Sequence, residues 1–239
     1  MKATVVIPTL NEEDNLRKCL EALSHQTVRD LEVIVVDGGS SDGTVRVAEG
    51  FGARVIVVRE RGIARARQAG FEAARTDFIV STDADSLPPP DWIERILFPF
   101  SDPRVVGVYG TTSYRGLKDL WAGTFRWWQR LFHALGIPIF LGPNFAVRKE
   151  AFLKVRGFRE PTGSFPAGYP EADDLLIGLK LSRVGKVLFI PDLCVPVSAR
   201  RVVPHRAPRE FLVYVRRDAK LLYWHWRGKL VPPEGHGAC

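Results

Sequence analysis

The chain opens with four apolar runs, ATVVIP, LEVIVVD, ARVIVV and DFIVSTD, each of a length that suits one buried strand and each followed by a different kind of segment. After the first, NEEDNLRKCLEAL puts Leu16, Cys19, Leu20 and Leu23 at helical spacing. After the second, GGSSDGT is a glycine-rich turn whose Ser and Asp can cap a helix beginning near Thr44. GIARARQAGFEAA, after the third, reads as another helix. Alternating strands and helices predict an α/β fold with a doubly wound, mostly parallel sheet. Ligands of such sheets bind beyond the carboxyl ends of the strands, where Asp37 and Asp83 fall.

Beyond Asp91 the pattern loosens. A helix to about Phe98, a strand VVGVYG, an aromatic helix from Leu117 to Leu135, an irregular GIPIFLGPNF, a helix KEAFLKV, a helix from about Ala172 to Val184 and a last strand KVLFIP are expected. The chain has 239 residues, 46% apolar and 26% charged, so it can bury a full core, and disorder is not expected. Cys19, Cys194 and Cys239 are odd in number and far apart, which suggests neither a zinc site nor a disulfide framework and fits a reducing, cytoplasmic compartment. No signal peptide is read, and no window reaches the roughly 18 apolar residues of a spanning helix. One Met, three Asn and three Gln fit a thermophilic source.

The fourth strand ends in FIVSTDADSLPPPDW, Phe78 to Trp92. In an extended chain Asp83 and Asp85 face one way and Ala84 the other. Such a pair can hold a hard divalent cation through oxygen ligands. The alternative is an ordinary turn before the helix that Asp91 starts. Pro88 to Pro90 stiffen the exit and preset that helix.

Four segments, VVIPTLNEEDNL, VIVVDGGSSDGT, STDAD and EADDLLIGLKLSRVGK, resemble in order and spacing the family 2 glycosyltransferases of the GT-A fold, over roughly Thr4 to Ile190. The opening segment looks closest to the polyprenyl-phosphate mannosyltransferases. The resemblance implies a Rossmann-like GT-A domain over 1–199, with a donor half at 1–110 and an acceptor half at 111–199; the pattern of residues 200–239 reads as a basic amphipathic helical extension. The resemblance also implies a nucleotide-diphosphate sugar donor, leaning to GDP-mannose. Pro8, Thr9, Leu10, Asn11 and Glu12 would wrap the nucleoside, and Asp37 would accept hydrogen bonds from the base, unless it only caps the turn at Gly38 to Ser40. Asp83, Ala84 and Asp85 would be the DXD segment that holds sugar and Mg2+ or Mn2+, with His205 as a further metal ligand. In the family's donor-facing helix an Arg next to an Asn or Gln approaches the nucleotide; Arg67 and Gln68 fit that place, with Arg65 competing for it. Gly142 and Asn144 would line the acceptor side. The base would be Asp174 or Asp173; the family usually carries Glu-Asp there with an Arg six residues on, where this chain has Lys180. The family's Gly-Gly-Phe is Arg156-Gly157-Phe158.

Between Arg200 and Lys229 nine Lys or Arg stand against Glu210 and Asp218, an excess equal to the whole chain's net charge of +7. Leu212, Val215, Ala219, Leu222 and Trp226 form one stripe there, with Arg209, Arg216, Lys220 and Arg227 across from it. Basic amphipathic helices bearing Trp and Tyr lie in bilayer interfaces, so a peripheral protein on an anionic membrane surface, taking a lipid or lipid-phosphate acceptor, is expected. A helix packed on the domain with a solvated basic face is the alternative. Trp121, Phe125, Trp128, Phe132 and Leu135 share a second helix face. No recognition motif supports nucleic-acid binding. A nucleotidyltransferase would need a glycine-rich, basic phosphate loop where this chain has PTLNEED, and a non-catalytic nucleotide-sugar module would be expected to lack the DXD or the base.

Overall fold

The computed structural model describes residues 1–59, 62–115, 127, 129–159, 174–199 and 219–227. Its described strands are β1 (Ala3–Thr9), β2 (Leu31–Asp37), β3 (Arg54–Val57), β4 (Phe78–Ser81), β5 (Val105–Arg115), β6 (Phe145–Arg148) and β7 (Lys186–Ser198). The named helices are α1 (Glu13–Ser24), α2 (Thr44–Gly50), α3 (Ile63–Ala73), α4 (Trp92–Leu97), α5 (Lys149–Lys154) and α6 (Asp174–Leu181), with a 3-10 turn at Phe98–Ser101. Residues 129–134 and 219–226 are also helical.

The strands form one seven-stranded sheet in the order β3-β2-β1-β4-β6-β5-β7. The β1–β2, β2–β3, β1–β4 and β5–β7 pairs are parallel, and β6 runs antiparallel to both β4 and β5. The expected doubly wound, mostly parallel sheet is therefore present, and alternation along each strand feeds two cores. Val5, Ile7, Val35 and Val80 join Leu16, Cys19, Leu20, Trp92 and Ile96 on one face. Val6, Ile34, Val36 and Ile79 join Phe71, Phe140, Phe145, Phe152 and Ile177 on the other. The inner strands β1, β4 and β6 are buried on both sides because helices cover both, while the edge strands β3 and β7 are largely half-buried.

Two elements differ from the expectation. GIPIFLGPNF was read as irregular, but its last residue begins β6, which fills the gap between β4 and β5. The last strand was read as KVLFIP and in fact runs on to Ser198 through Pro191 and Pro196. It lies at the sheet edge, paired to β5 alone, where a missing N–H costs no ladder bond. Arg156 has φ 59°, the left-handed conformation that the family's usual glycine would adopt without strain.

Asn144 was expected on the acceptor side. The structure puts it in the core, fully buried just before β6. Its amide donates to the carbonyls of Thr111 and Leu193, both at 2.7 Å, and accepts from Trp92 Nε1 at 2.8 Å. One side chain thus joins β5, β7 and α4, and an amide so spent has nothing left to offer an acceptor. Asn144→Ala should cost about 2–4 kcal/mol, because the partners it abandons stay buried without replacements. Urea denaturation of the two proteins checks this, and equal midpoints would contradict the account.

Candidate active site

The loops after β1 and β2 brace each other. Asn11, at φ 53°, a conformation asparagine tolerates better than most residues, donates its N–H to Ser40 Oγ at 2.8 Å and accepts from the Ser41 N–H at 2.8 Å. The Glu12 N–H donates to Thr44 Oγ1 at 2.9 Å, and Glu13 Oε2 accepts from the Gly43 N–H at 2.8 Å. Asp37, at the end of β2, is 1% exposed. Its Oδ2 accepts the N–H groups of Gly39 and Ser40, each at 2.9 Å, and its Oδ1 accepts from Ser40 Oγ and, at 3.4 Å, from Thr9 Oγ1. The geometry gives Asp37 the turn-capping role. Leu10 and Asn11 are exposed, Pro8 is half-buried, and Thr9 and Glu12 are buried.

At the end of β4 the chain leaves the sheet after Ser81, and Asp83 to Ser86 make a turn closed by the Ser86 N–H on the Asp83 carbonyl at 3.1 Å. The extended geometry expected for Asp83 and Asp85 is replaced by this turn, so strand alternation does not govern where their carboxylates point. Ala84 and Asp85 are buried, and the Asp83 side chain is 21% exposed. Their charges still act on common neighbours. Cys19 of α1 donates its thiol to the Asp83 carbonyl at 3.5 Å, and its pKa is pushed far up by burial first and then by the charges of Asp83 and Asp85. Burial, then the same two charges, raises the Tyr114 phenol on β5. Arg115 Nη2 donates to the Asp85 carbonyl at 3.0 Å. Two carboxylates with no nitrogen or sulfur ligand make a donor set that fits a hard divalent ion. Among the described residues no three His, Cys, Asp or Glu side chains converge, so other ligands would have to come from a bound phosphate group, water or residues outside that set. His205 lies outside the described residues.

Arg67 joins the two halves of the site. It sits on the buried face of α3 with Ala64, Gly70 and Phe71 and is 1% exposed. Its Nη2 donates to Asp83 Oδ1 at 2.6 Å and its Nη1 to Asp174 Oδ1 at 3.1 Å. Asp174 is the first residue of α6, is 34% exposed in its side chain, and accepts the Gly142 N–H on Oδ2 at 3.0 Å. A Cβ on Gly142 would lie 1.9 Å from Arg67 Nη2, so only glycine lets the guanidinium lie against this backbone. The structure therefore brings Asp83, Arg67, Gly142 and Asp174 together. Asp173, the other candidate base, lies outside the described residues. Gln68 was expected to face the donor; its amide instead donates to Glu72 Oε1 at 2.7 Å and accepts the Phe158 N–H at 2.8 Å, which spends it on holding α3 to the segment after α5. Arg65 is exposed on the same helix.

The glycosyl transferase family 2 model matches residues 4–156, more than half of the chain. The chain belongs to that family. Glycosyltransferase AglE of Haloferax volcanii is 34% identical over 119 residues, 46% of this chain and 39% of AglE. A PGL/p-HBAD biosynthesis glycosyltransferase of Mycobacterium tuberculosis is 32% identical over 130 residues, 51% of either chain. The family 2 chain thus spans about half the length of these curated relatives, or less. Among solved structures, the mannosyltransferase PcManGT of Pyrobaculum calidifontis in complex with GDP-Man and Mn2+ superposes with a TM-score of 0.64 at 24% identity, covering 97% of this chain and 66% of that one. Glucosyl-3-phosphoglycerate synthase of Mycobacterium tuberculosis with Mn2+, UDP and glucosyl-3-phosphoglycerate gives 0.64 at 22%, covering 99% and 83%. At these identities the likeness establishes the GT-A fold.

The family 2 motif segments mark where the site lies, but the contact between Arg67 and Gly142 has no motif of its own. Its one sequence signal is that Arg67 shares a helical face with Ala64 and Phe71. Cys19, fully buried beneath Asp83, should resist iodoacetamide in the native protein and be labelled after unfolding. Mass mapping of the modified peptide checks this; rapid native labelling would contradict the packing of α1 on the turn.

Proposed function

We propose that this site transfers a sugar from a nucleotide-diphosphate donor to an acceptor nucleophile, with GDP-mannose the leading donor. The observation that carries the reading is the meeting of Asp83 and Asp174, from two distant motif segments, on one buried guanidinium beyond the strand ends. The braced loops at Leu10 to Glu12 and Asp37 to Thr44 supply a wall for the nucleoside, with Asp37 holding the turn that shapes it. Asp85 and Asp83 are the residues to hold Mg2+ or Mn2+, which when bound would offset the charge that develops on the leaving diphosphate. PcManGT with GDP-Man and Mn2+ supports this choice of donor and ion.

Asp174 takes the part of general base. Its oxygens are oriented by Arg67 and Gly142, and its side chain keeps a solvent-exposed portion that an acceptor could approach. For a hydroxyl acceptor, Asp174 removes the proton as the oxygen attacks the anomeric carbon and the bond to the diphosphate breaks on the opposite face, an inverting transfer. An ionised lipid phosphate would need no such proton transfer, and Asp174 would then only orient groups. A non-catalytic nucleotide-sugar module would have no use for an oriented carboxylate at this position.

Asp174→Asn should lower turnover on a hydroxyl acceptor about 100-fold to 10,000-fold while leaving donor affinity near normal. Asp85→Asn should lose turnover on every acceptor. Mass detection of products from GDP-mannose and UDP-glucose, with lipid-phosphate and lipid-hydroxyl acceptors, checks both. Full activity in both variants would remove the catalytic reading.

The acceptor reading is membrane-associated, at the cytoplasmic face. Residues 219–226 dock through Leu221 against Leu175, Leu176 and Leu179 of α6, the helix that Asp174 begins. Tyr223 and Trp226 stay exposed, and Lys220 and Arg227 lie over the rings of Trp224 and Tyr223. On the neighbouring helical stretch Trp127, Leu131 and Leu135 are exposed at intervals of four residues, whereas Phe132 packs inward, so Leu135 and Phe132 of the expected stripe part company; Trp121, Phe125 and Trp128 lie outside the described residues. Among the described residues no helix is long and apolar enough to cross a membrane. Exposed aromatic and basic side chains together fit an anionic interface. Cosedimentation should be strong with vesicles containing phosphatidylglycerol, weak with pure phosphatidylcholine, and reduced by salt and by Trp226→Ala. Equal binding to both vesicle types would argue for the solvated-face alternative.

A further inference from the structure

We propose that Arg67 is the positioning residue that fixes the separation of Asp83 and Asp174, and that it shares Asp83 with a divalent cation. The kinetic part of this inference rests on the glycosyl-transfer reading; the cation-sharing part does not. Two nitrogens of one guanidinium hold two carboxylates that come from different halves of the chain, at 2.6 and 3.1 Å. Arg67 and Asp174 are held, because Arg67 is 1% exposed and packs against the Gly142 backbone, whose N–H bonds the other oxygen of Asp174 at 3.0 Å. A planar fork offers each carboxylate its own nitrogen at a fixed separation, whereas an ammonium would bring both to a single nitrogen. The consequence for Asp174 is one orientation rather than several.

The consequence for Asp83 is competition. Its Oδ1 already faces a positive charge, so a cation entering between Asp83 and Asp85 meets a carboxylate that is partly neutralised and a guanidinium that repels it. Each cation weakens the other's hold on Asp83, and by linkage the effect is mutual. Arg67 keeps Asp174 through its second nitrogen in either state, which lets the carboxylate turn adjust to the ion without freeing the base.

The test uses the full chain as wild type, Arg67→Gln, Arg67→Lys and Gly142→Ala, with circular dichroism to verify folding. Mn2+ binding without nucleotide, read from the paramagnetic resonance signal of the free ion, should be about tenfold tighter in Arg67→Gln, which removes the charge, and within about threefold of wild type in Arg67→Lys, which keeps it. Equal or weaker binding in Arg67→Gln overturns the sharing. Hydrolysis of GDP-mannose and UDP-glucose reads the positioning. Arg67→Lys and Gly142→Ala should each lower kcat about 100-fold with KM within about threefold, since a displaced group costs rate more than binding. Wild-type kcat in either folded variant overturns the positioning role. Should Arg67→Gln fail to fold, Arg67→Met serves as the charge-removing variant: about tenfold tighter Mn2+ binding supports the sharing, and equal or weaker binding overturns it. If wild type hydrolyses neither sugar nucleotide, kcat is read from transfer to the lipid-phosphate and lipid-hydroxyl acceptors; no product from any pairing overturns the proposed reaction, while the Mn2+ measurements still decide the sharing.

Discussion

The ion triad that buried Arg67 forms with Asp83 and Asp174 sets the terms for the rest of the site. Taking a guanidinium out of water costs several kcal/mol unless its partners are close and well aligned. Here two carboxylates supply the alignment, and the surrounding structure keeps them there: Asp83 by the turn that Ser86 closes, Asp174 by the Gly142 N–H and the start of α6. The arrangement also explains why the backbone at 142 lacks a side chain. The guanidinium occupies the volume where a Cβ would be.

That triad depends on the sheet being closed across its middle. β4 delivers Asp83, but α6 and the Gly142 segment belong to the later half of the chain, and β6 is the strand that brings that half alongside β4. Asn144 secures the junction by bonding β5, β7 and α4 in one place, so a buried amide two residues from Gly142 holds the backbone on which Arg67 rests. Core packing and site geometry are here the same set of contacts.

Much of the first half was legible in the sequence because its physical signals are strong and local. Apolar runs gave β1 to β4, and the spacing of Leu16, Cys19, Leu20 and Leu23 gave the buried face of α1. β6 was not legible, since four residues after a Pro-Asn pair carry too short a pattern, and the strand exists through pairing on both sides. β7 was shortened by its prolines, which edge position excuses. At the site, the acidic pair was plain, and of the two geometries read for it the turn, kept as the alternative, is the one present, because the strand ends at Ser81. Arg67 and Gln68 were read as donor-facing; buried Arg67 donates to Asp83 and Asp174, and half-buried Gln68 donates to Glu72, contacts that no sequence spacing announces. Asn144 was read as an acceptor contact for the same reason: sequence marks a polar residue near a site without saying whether the protein itself has already spent its hydrogen bonds.

α6 carries these themes to the surface. Its first residue is Asp174, and its apolar side chains Leu175, Leu176 and Leu179 receive Leu221 of the basic, aromatic segment. Lys180, where the resemblance led to the expectation of an arginine, is 2% exposed and donates to the carbonyls of Gly157 and Arg159 at 2.8 and 2.6 Å. A compact ammonium suits backbone carbonyls that lie apart from one another, whereas a planar fork is suited to paired carboxylates. The two cations divide the work on that ground: Arg67 faces the carboxylates, and Lys180 ties the same helix to the turn after α5. A single eight-residue helix therefore links the oriented carboxylate, the anchored turn and the exposed aromatic surface. The segment that exposes Tyr223 and Trp226 thus packs, through Leu221, on the element that begins with Asp174.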